Sequence, residues 1–239
     1  MGKKLLRLTM FVVVLLTLTA IVFAEPGGTT ISANSTNLGR TSTPANRSDP
    51  GGTITTMLLD AVQQNAQWKA YVGNISGSLT LDDSAGNTIY EWSLGAASVT
   101  GEIFASRSNS VTWSNINCSN ITTVQSEQTA LGITDTTTDS IKNTFNYTVH
   151  PALVVAGRSI TQNTCNATST FVSGARQSQA SATFPELLLH DNTNLVYATI
   201  LTQDDTGYGG SETYDFQMII ADNPSVTSSM YYFYAELGS

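Results

Sequence analysis

Positive charge is scarce in this chain. Of its ten lysines and arginines, Lys3, Lys4 and Arg7 precede the first apolar run, and beyond that run Lys69 and Lys142 are the only lysines. From Glu25 onward seven basic residues face eighteen acidic ones, a formal charge of −11. A nucleic-acid binder needs a basic footprint, and this sequence has none. Histidine and cysteine are equally sparse, at two each. The G-x-S-x-G elbow, the H-E-x-x-H zinc motif, the phosphate loop and the dinucleotide G-x-G-x-x-G after a strand are all absent. Long hydrophobic runs are missing too. Only Met10–Phe23 is apolar and uncharged throughout, and it is shorter than the roughly 20 residues of an ordinary spanning helix. No cysteine follows it, which excludes a bacterial lipid anchor.

What the first two dozen residues do contain is a basic stretch, an apolar stretch and small residues at Val22-Phe23-Ala24. That order predicts a secretory signal peptide over residues 1–24, cut after Ala24, with an uncleaved anchor as the alternative. An exported chain with charged residues at 12% must find solubility elsewhere. Seven N-x-S/T sequons, at Asn34, Asn46, Asn74, Asn117, Asn120, Asn146 and Asn166, point to glycan, although a chain this rich in Asn, Ser and Thr produces several by chance. The two cysteines, Cys118 and Cys165, lie in polar turn-like contexts and are expected to pair, as thiols in exported proteins usually do.

Residues 25–53 are dense in Gly, Ser, Thr, Asn and Pro and read as a flexible arm ahead of a single β-rich domain over 54–239. In that arm Thr29, Ile31 and Ala33 share one face, so a short strand added to a sheet edge is one role and a plain glycosylated spacer is the other. Ile54, Met57, Leu58, Ala61 and Val62 recur at helical spacing and predict a short amphipathic helix running into Trp68.

The stretch Trp68–Trp92 predicts a hairpin. Ile75, Leu79 and Leu81 alternate with polar residues from Gly73 to Asp82, the loop DSAGN follows, and Tyr90, Trp92 and Leu94 share a face on the return. Strands are expected at Ser98–Ser106, Ser110–Asn115, Thr168–Val172, Phe184–His190, Leu195–Gln203, Thr213–Ala221 and Met230–Leu237. Helical turns are expected at Val124–Leu131 and in the segment ITDTTTDSIKNTF. Leu187–Leu189 is a continuous apolar run, as in a strand buried on both faces. Val196–Leu201, the turn DDTGYGG and Tyr214–Ile220 read as a second hairpin. The fold class is mainly β, an antiparallel sandwich or barrel-like domain with one or two short helices.

Two segments, WKAYVGNISGSLTLDDSAGNTIYEW and VYATILTQDDTGYGGSETYDFQM followed by YYFYAEL, resemble a family of uncharacterised secreted proteins found mainly in archaeal genomes. The resemblance covers under half of the chain. It implies an exported envelope or cell-surface protein and transfers no functional residue.

Reaction chemistry is thin. Glu91 and Glu102 on neighbouring candidate strands suggest a glycosidase pair, but alternation puts Glu91 on the solvated face. His150 reads as a loop residue and His190 as a surface imidazole at a strand end. Asp204, Asp205, Glu212 and Asp215 around DDTGYGG are candidate oxygen ligands for calcium, although the spacing is not an EF-hand and the same residues suit an ordinary turn. No other cofactor is implied. Three function classes remain. The first is a non-catalytic structural or assembly protein of the cell surface, an envelope component or filament subunit, with itself or envelope protein and glycan as partners. The second is a glycan-binding or adhesion module using Trp68, Trp92, Trp113 or Tyr208, and the third is a glycoside hydrolase. The leader, the sequons, the arm and the missing catalytic motifs favour the first.

Overall fold

The computed structural model describes residues 25–41, 43–93, 100–223, 225 and 229–238. The expected signal peptide, and the expected strand positions Leu94, Ser98 and Val99, lie outside these. The fold is mainly β and antiparallel, as the alternation in the sequence predicts. In chain order the strands are β1 (Gly27–Gly28), β2 (Trp68–Gly73), β3 (Ser78–Asp82), β4 (Thr88–Ser93), β5 (Thr100–Ser106) and β6 (Asn117–Cys118). After these come β7 (Leu153–Val155), β8 (Arg158–Ile160), β9 (Ala167–Ser169), β10 (Pro185–His190) and β11 (Leu195–Ile200). The last four are β12 (Asp205–Thr206), β13 (Thr213–Tyr214), β14 (Phe216–Ala221) and β15 (Tyr232–Gly238). Two helices, α1 (Ile121–Ala130) and α2 (Ile141–Thr144), lie between β6 and β7.

The main sheet runs β1-β15-β5-β11-β10-β6, with β9 also paired to β10. It is open rather than closed into a barrel. Its central strands β10 and β11 are buried on both faces, which is why Leu187–Leu189 is apolar without alternation. One face packs Ile103, Leu188 and Tyr197 against Met218 and Ile220 of β14 and against Val124 and Ile141 of the helices. The other packs Phe104, Leu187, Leu189 and Val196 against Trp113, Ile116 and the β7–β8 hairpin. The layers on the two sides make the arrangement sandwich-like.

Local chemistry explains the elements. Asn120 caps α1, its Oδ1 accepting from the Thr123 backbone N–H at 2.9 Å, and Ser140 caps α2 by accepting from the Asn143 N–H at 3.2 Å. Glu186 of β10 is fully buried, and its Oε2 accepts the Ile219 N–H of β14 at 2.9 Å, linking the main sheet to the β2–β14 layer. Burial pushes this carboxyl well above the usual range, against the Ile219 N–H that favours its charged form.

Several expectations are corrected. β3 and β4 form the predicted hairpin, with Leu79 opposite Trp92 and Leu81 opposite Tyr90. Gly73–Asp82 is not one strand, however. It breaks at Asn74–Gly77, where the Ile75 N–H donates to Asp215 Oδ2 at 2.8 Å instead of to a ladder. Gly77 passes so close to the terminal strand that a Cβ there would lie 2.5 Å from Leu237 Cδ1. Trp68–Gly73 is a separate strand paired with β14, from Trp68↔Ala221 to Gly73↔Phe216. The second expected hairpin does not exist as such. β11 pairs with β10 and β5, while β14 pairs with β2, so the turn carries the chain from one sheet to another.

Ser110–Asn115 is not a strand but ends in a 3₁₀ turn over Trp113–Asn115. Asp191 Oδ2 takes the Thr112 N–H at 2.9 Å and Trp113 wedges between the rings of Phe104 and Tyr234, which draws the segment out of any ladder. The helix expected from Ile54 is also absent. Ile54, Leu58, Leu59 and Val62 are all exposed, and the packed body starts near Gln67, whose carbonyl accepts the Asp222 N–H. A helix of about three turns is marginal in water unless its apolar stripe is covered, and among the described residues nothing covers it.

Candidate functional site

The outer edge of β15 is where the arm and the domain meet. β15 is paired along its whole length with β5, from Tyr232↔Ser106 to Gly238↔Thr100. On its other side, among the described residues, it carries only β1, in the register Gly27↔Ala235 and Gly28↔Tyr234. The Thr29 N–H and hydroxyl both donate to the Phe233 carbonyl, at 3.1 and 3.2 Å. Pro26, just before β1, is buried, whereas the arm from Gly27 onward is exposed. A recess of about 340 Å³ opens between the arm and the strand, lined by Gly28, Thr29, Ile31, Tyr231, Tyr232 and Phe233 among others.

Two carboxyls sit further along the same strand pair. Glu236 of β15 lies directly opposite Glu102 of β5. The strands approach closely there: Gly101 has φ 128°, and a Cβ on it would lie 2.0 Å from the Glu236 carbonyl oxygen. Burial, and then the Glu236 charge, raise Glu102 to about 7. Burial also raises Glu236, against the Ala156 N–H that donates to its carboxylate at 2.9 Å. Sequence reasoning missed Glu236, because nothing local marks a partner this far along the chain. The pairing of Glu91 with Glu102 is overturned, since β4 belongs to the β3–β4 hairpin while β5 is in the main sheet.

A shallow polar cleft of about 280 Å³ lies between β5, α1 and the loop before β11. Its one strong cation, Arg107, is neutralised by a two-pronged pair with Glu127, at 2.7 and 2.9 Å. Beneath it His190 is buried, not surface-exposed, and contacts Thr123 Oγ1 at 3.1 Å.

His150, expected in an open loop, is also buried. Its Nε2 accepts two backbone N–H groups, from Thr164 at 3.0 Å and Cys165 at 2.9 Å, and its Nδ1 contacts the Pro151 carbonyl at 2.7 Å. With Nε2 accepting, Nδ1–H is the donor to that carbonyl, and the ring shapes the turn that presents Cys165. His150→Ala strands both N–H groups, one of them fully buried. The expected loss is roughly 2–3 kcal/mol of unfolding free energy, read by denaturant titration; no change would mean water replaces the ring.

The remaining predicted residues are dispersed. Cys118 and Cys165 are bonded to each other. Asn34, Asn46, Asn74, Asn117, Asn120 and Asn146 are exposed and Asn166 is half-buried. Asp215 points inward, its Oδ1 accepting the Asp204 N–H at 3.1 Å, Glu212 accepts from the Tyr214 hydroxyl, and Asp205 is exposed in β12. Among the described residues no three His, Cys, Asp or Glu side chains are grouped to hold a metal. Of the aromatics, Trp113 is core and Trp68 packs on Phe145. Trp92 is half exposed beside Tyr90, with ring centroids 4.8 Å apart, and Tyr208 is exposed and stacked on Tyr214. The first pair sits on β4 of the β3–β4 hairpin, and in the second Tyr208 lies in the turn between β12 and β13 against the half-buried Tyr214. No protein-family model, curated protein or solved structure matches the chain.

Proposed function

We propose that this chain is an exported, N-glycosylated structural protein of the cell surface, an envelope component or filament subunit. It works by assembling with copies of itself or with an envelope partner. The observation that supports this best is the β15 edge: a main sheet left open on one side, touched there by two residues of a long exposed arm. An open edge presents unpaired backbone N–H and C=O groups and is a template for another chain. The disulfide suits an oxidising compartment. The leader-like start of the sequence supports export, and the accessible sequons suit a surface where charge is too sparse to keep the protein soluble.

Envelope fractions from the native host are expected to contain the protein in a sedimenting assembly. Its mature amino terminus is expected at Glu25, and the peptide carrying Asn74 is expected to be glycosylated. A soluble monomer with that peptide unmodified would sink the proposal.

A further inference from the structure

We propose that the arm strand is exchanged between copies, with the Gly27–Thr29 segment of one chain pairing on the β15 edge of the next. This deepens the assembly reading above and rests on it. The two edges of the main sheet differ. At one, β6 and β9 share β10 and are tied by the Cys118–Cys165 bond. At the other, β1 engages only Tyr234 and Ala235 in the ladder, with Thr29 adding one more backbone bond to Phe233. The rest of the seven-residue β15 has no strand beside it on that side among the described residues. Such a short strand holds by main-chain hydrogen bonds and the burial of Pro26, and a second copy supplies the same acceptors to an identical arm.

The connection decides between pairing within the chain and pairing across chains. Between Thr29 and Gln67 the chain has no helix or strand among the described residues, and it is exposed almost throughout. A tether of about 38 residues holds β1 near its own edge at an effective concentration of only about millimolar order. Where copies are crowded on a surface above that level, the neighbour's edge wins by mass action with no new contact needed. The donor strand and the acceptor edge are different surfaces, so the contact is head-to-tail and propagates into a chain or closes into a ring.

Register supplies the test. Gly27 lies directly opposite Ala235 in the ladder, and facing strand positions of this kind are at a spacing a disulfide can span. Full-length Gly27→Cys and Ala235→Cys proteins, one isotope-labelled, are mixed at high concentration and oxidised; a Cβ at position 27 meets no neighbouring atom within 4 Å. The expected product is a mixed disulfide between the two populations. The double variant, oxidised when dilute, is expected to lock its arm on its own edge and to need at least tenfold higher concentration to associate, recovering on reduction. As a second variant, deletion of Glu25–Ile31 is expected to abolish association while leaving an edge that binds a peptide spanning Glu25–Ala33. If the locked or truncated chain associates like the original, exchange is wrong although assembly stands. If the unmodified protein stays unassociated when crowded on a vesicle surface well above the tether's effective concentration, the assembly reading fails with it.

Discussion

Replacing Cys118 and Cys165 together by serine is expected to lower the unfolding free energy by about 4 kcal/mol. The bond closes a segment with a sequence separation of 47 residues, which contains both helices and the β7–β8 hairpin. Cutting it returns that closure entropy to the unfolded chain. The folded state has little else to hold the same place. β6 pairs with Leu189 and His190 over two residues and β9 with Pro185–Leu187 over three, and strands this short do not persist alone. Cys165 is fully buried and follows directly on the turn built by His150. For a domain of this size the loss corresponds to a fall of about 10 °C in Tm. Hydrogen exchange should quicken first at Ser119 and Ala167, whose N–H groups donate to the Leu188 and Tyr147 carbonyls at this edge. A loss under about 1 kcal/mol would show that the β10 edge is held without the bond.

The same region shows what the sequence makes legible. The cysteine pairing and the doubly buried Leu187–Leu189 strand rest on local signals, namely thiol context and an unbroken apolar run, and each appears where expected. The helix expected at Val124–Leu131 instead starts earlier, at Ile121, because Asn120 caps it. What misleads is local pattern that tertiary contacts override. The alternation from Gly73 to Asp82 runs straight through a break imposed by Asp215, a residue distant in sequence. The turn DDTGYGG has hairpin chemistry, but it connects two sheets because β11 is already paired on both sides by β10 and β5. The helical spacing from Ile54 is real as a pattern, but a stripe without a surface to cover it stays extended and exposed. Of the candidate site, the arm was readable from composition. Its acceptor was not, since which strand lies at an edge is decided by pairing across the whole chain.

Glu102 alone is expected to lower stability by about 3 kcal/mol as pH rises from near 4.5 to near 7, and Glu102→Gln is expected to remove that share. Glu102 titrates at about 7 in the folded protein because it is partly buried and faces Glu236 across the strand pair. In the unfolded chain a glutamate titrates near 4.3, so below that value both states hold the proton and the fold is undisturbed. Above it the unfolded state ionises first. Each further pH unit costs the folded state about 1.4 kcal/mol until its own carboxyl ionises. Glu236 and the buried Glu186 are raised too, and both act in the same direction.

The opposite slope appears only in stronger acid. Burial opposes ionisation of Asp191, but donors from Asn194, Thr112 and Thr193 outweigh it. In Asp222 the pair with Lys69 and the N–H of Ser229 do the same. Both are depressed below the usual aspartate range, so their contribution is present above the unfolded value near 3.9 and is lost as pH falls below it. The two trends place maximum stability between about pH 4 and 5. Denaturant titrations of the unmodified protein and of Glu102→Gln at pH 5, 6, 7 and 8 separate the contributions. The variant's advantage over the parent should grow by about 2.5 kcal/mol between pH 5 and pH 8, because glutamine keeps the shape but carries no charge to bury or to repel Glu236. Parallel curves at every pH would show that water reaches the pair and screens it, and that β5 and β15 meet there without electrostatic cost.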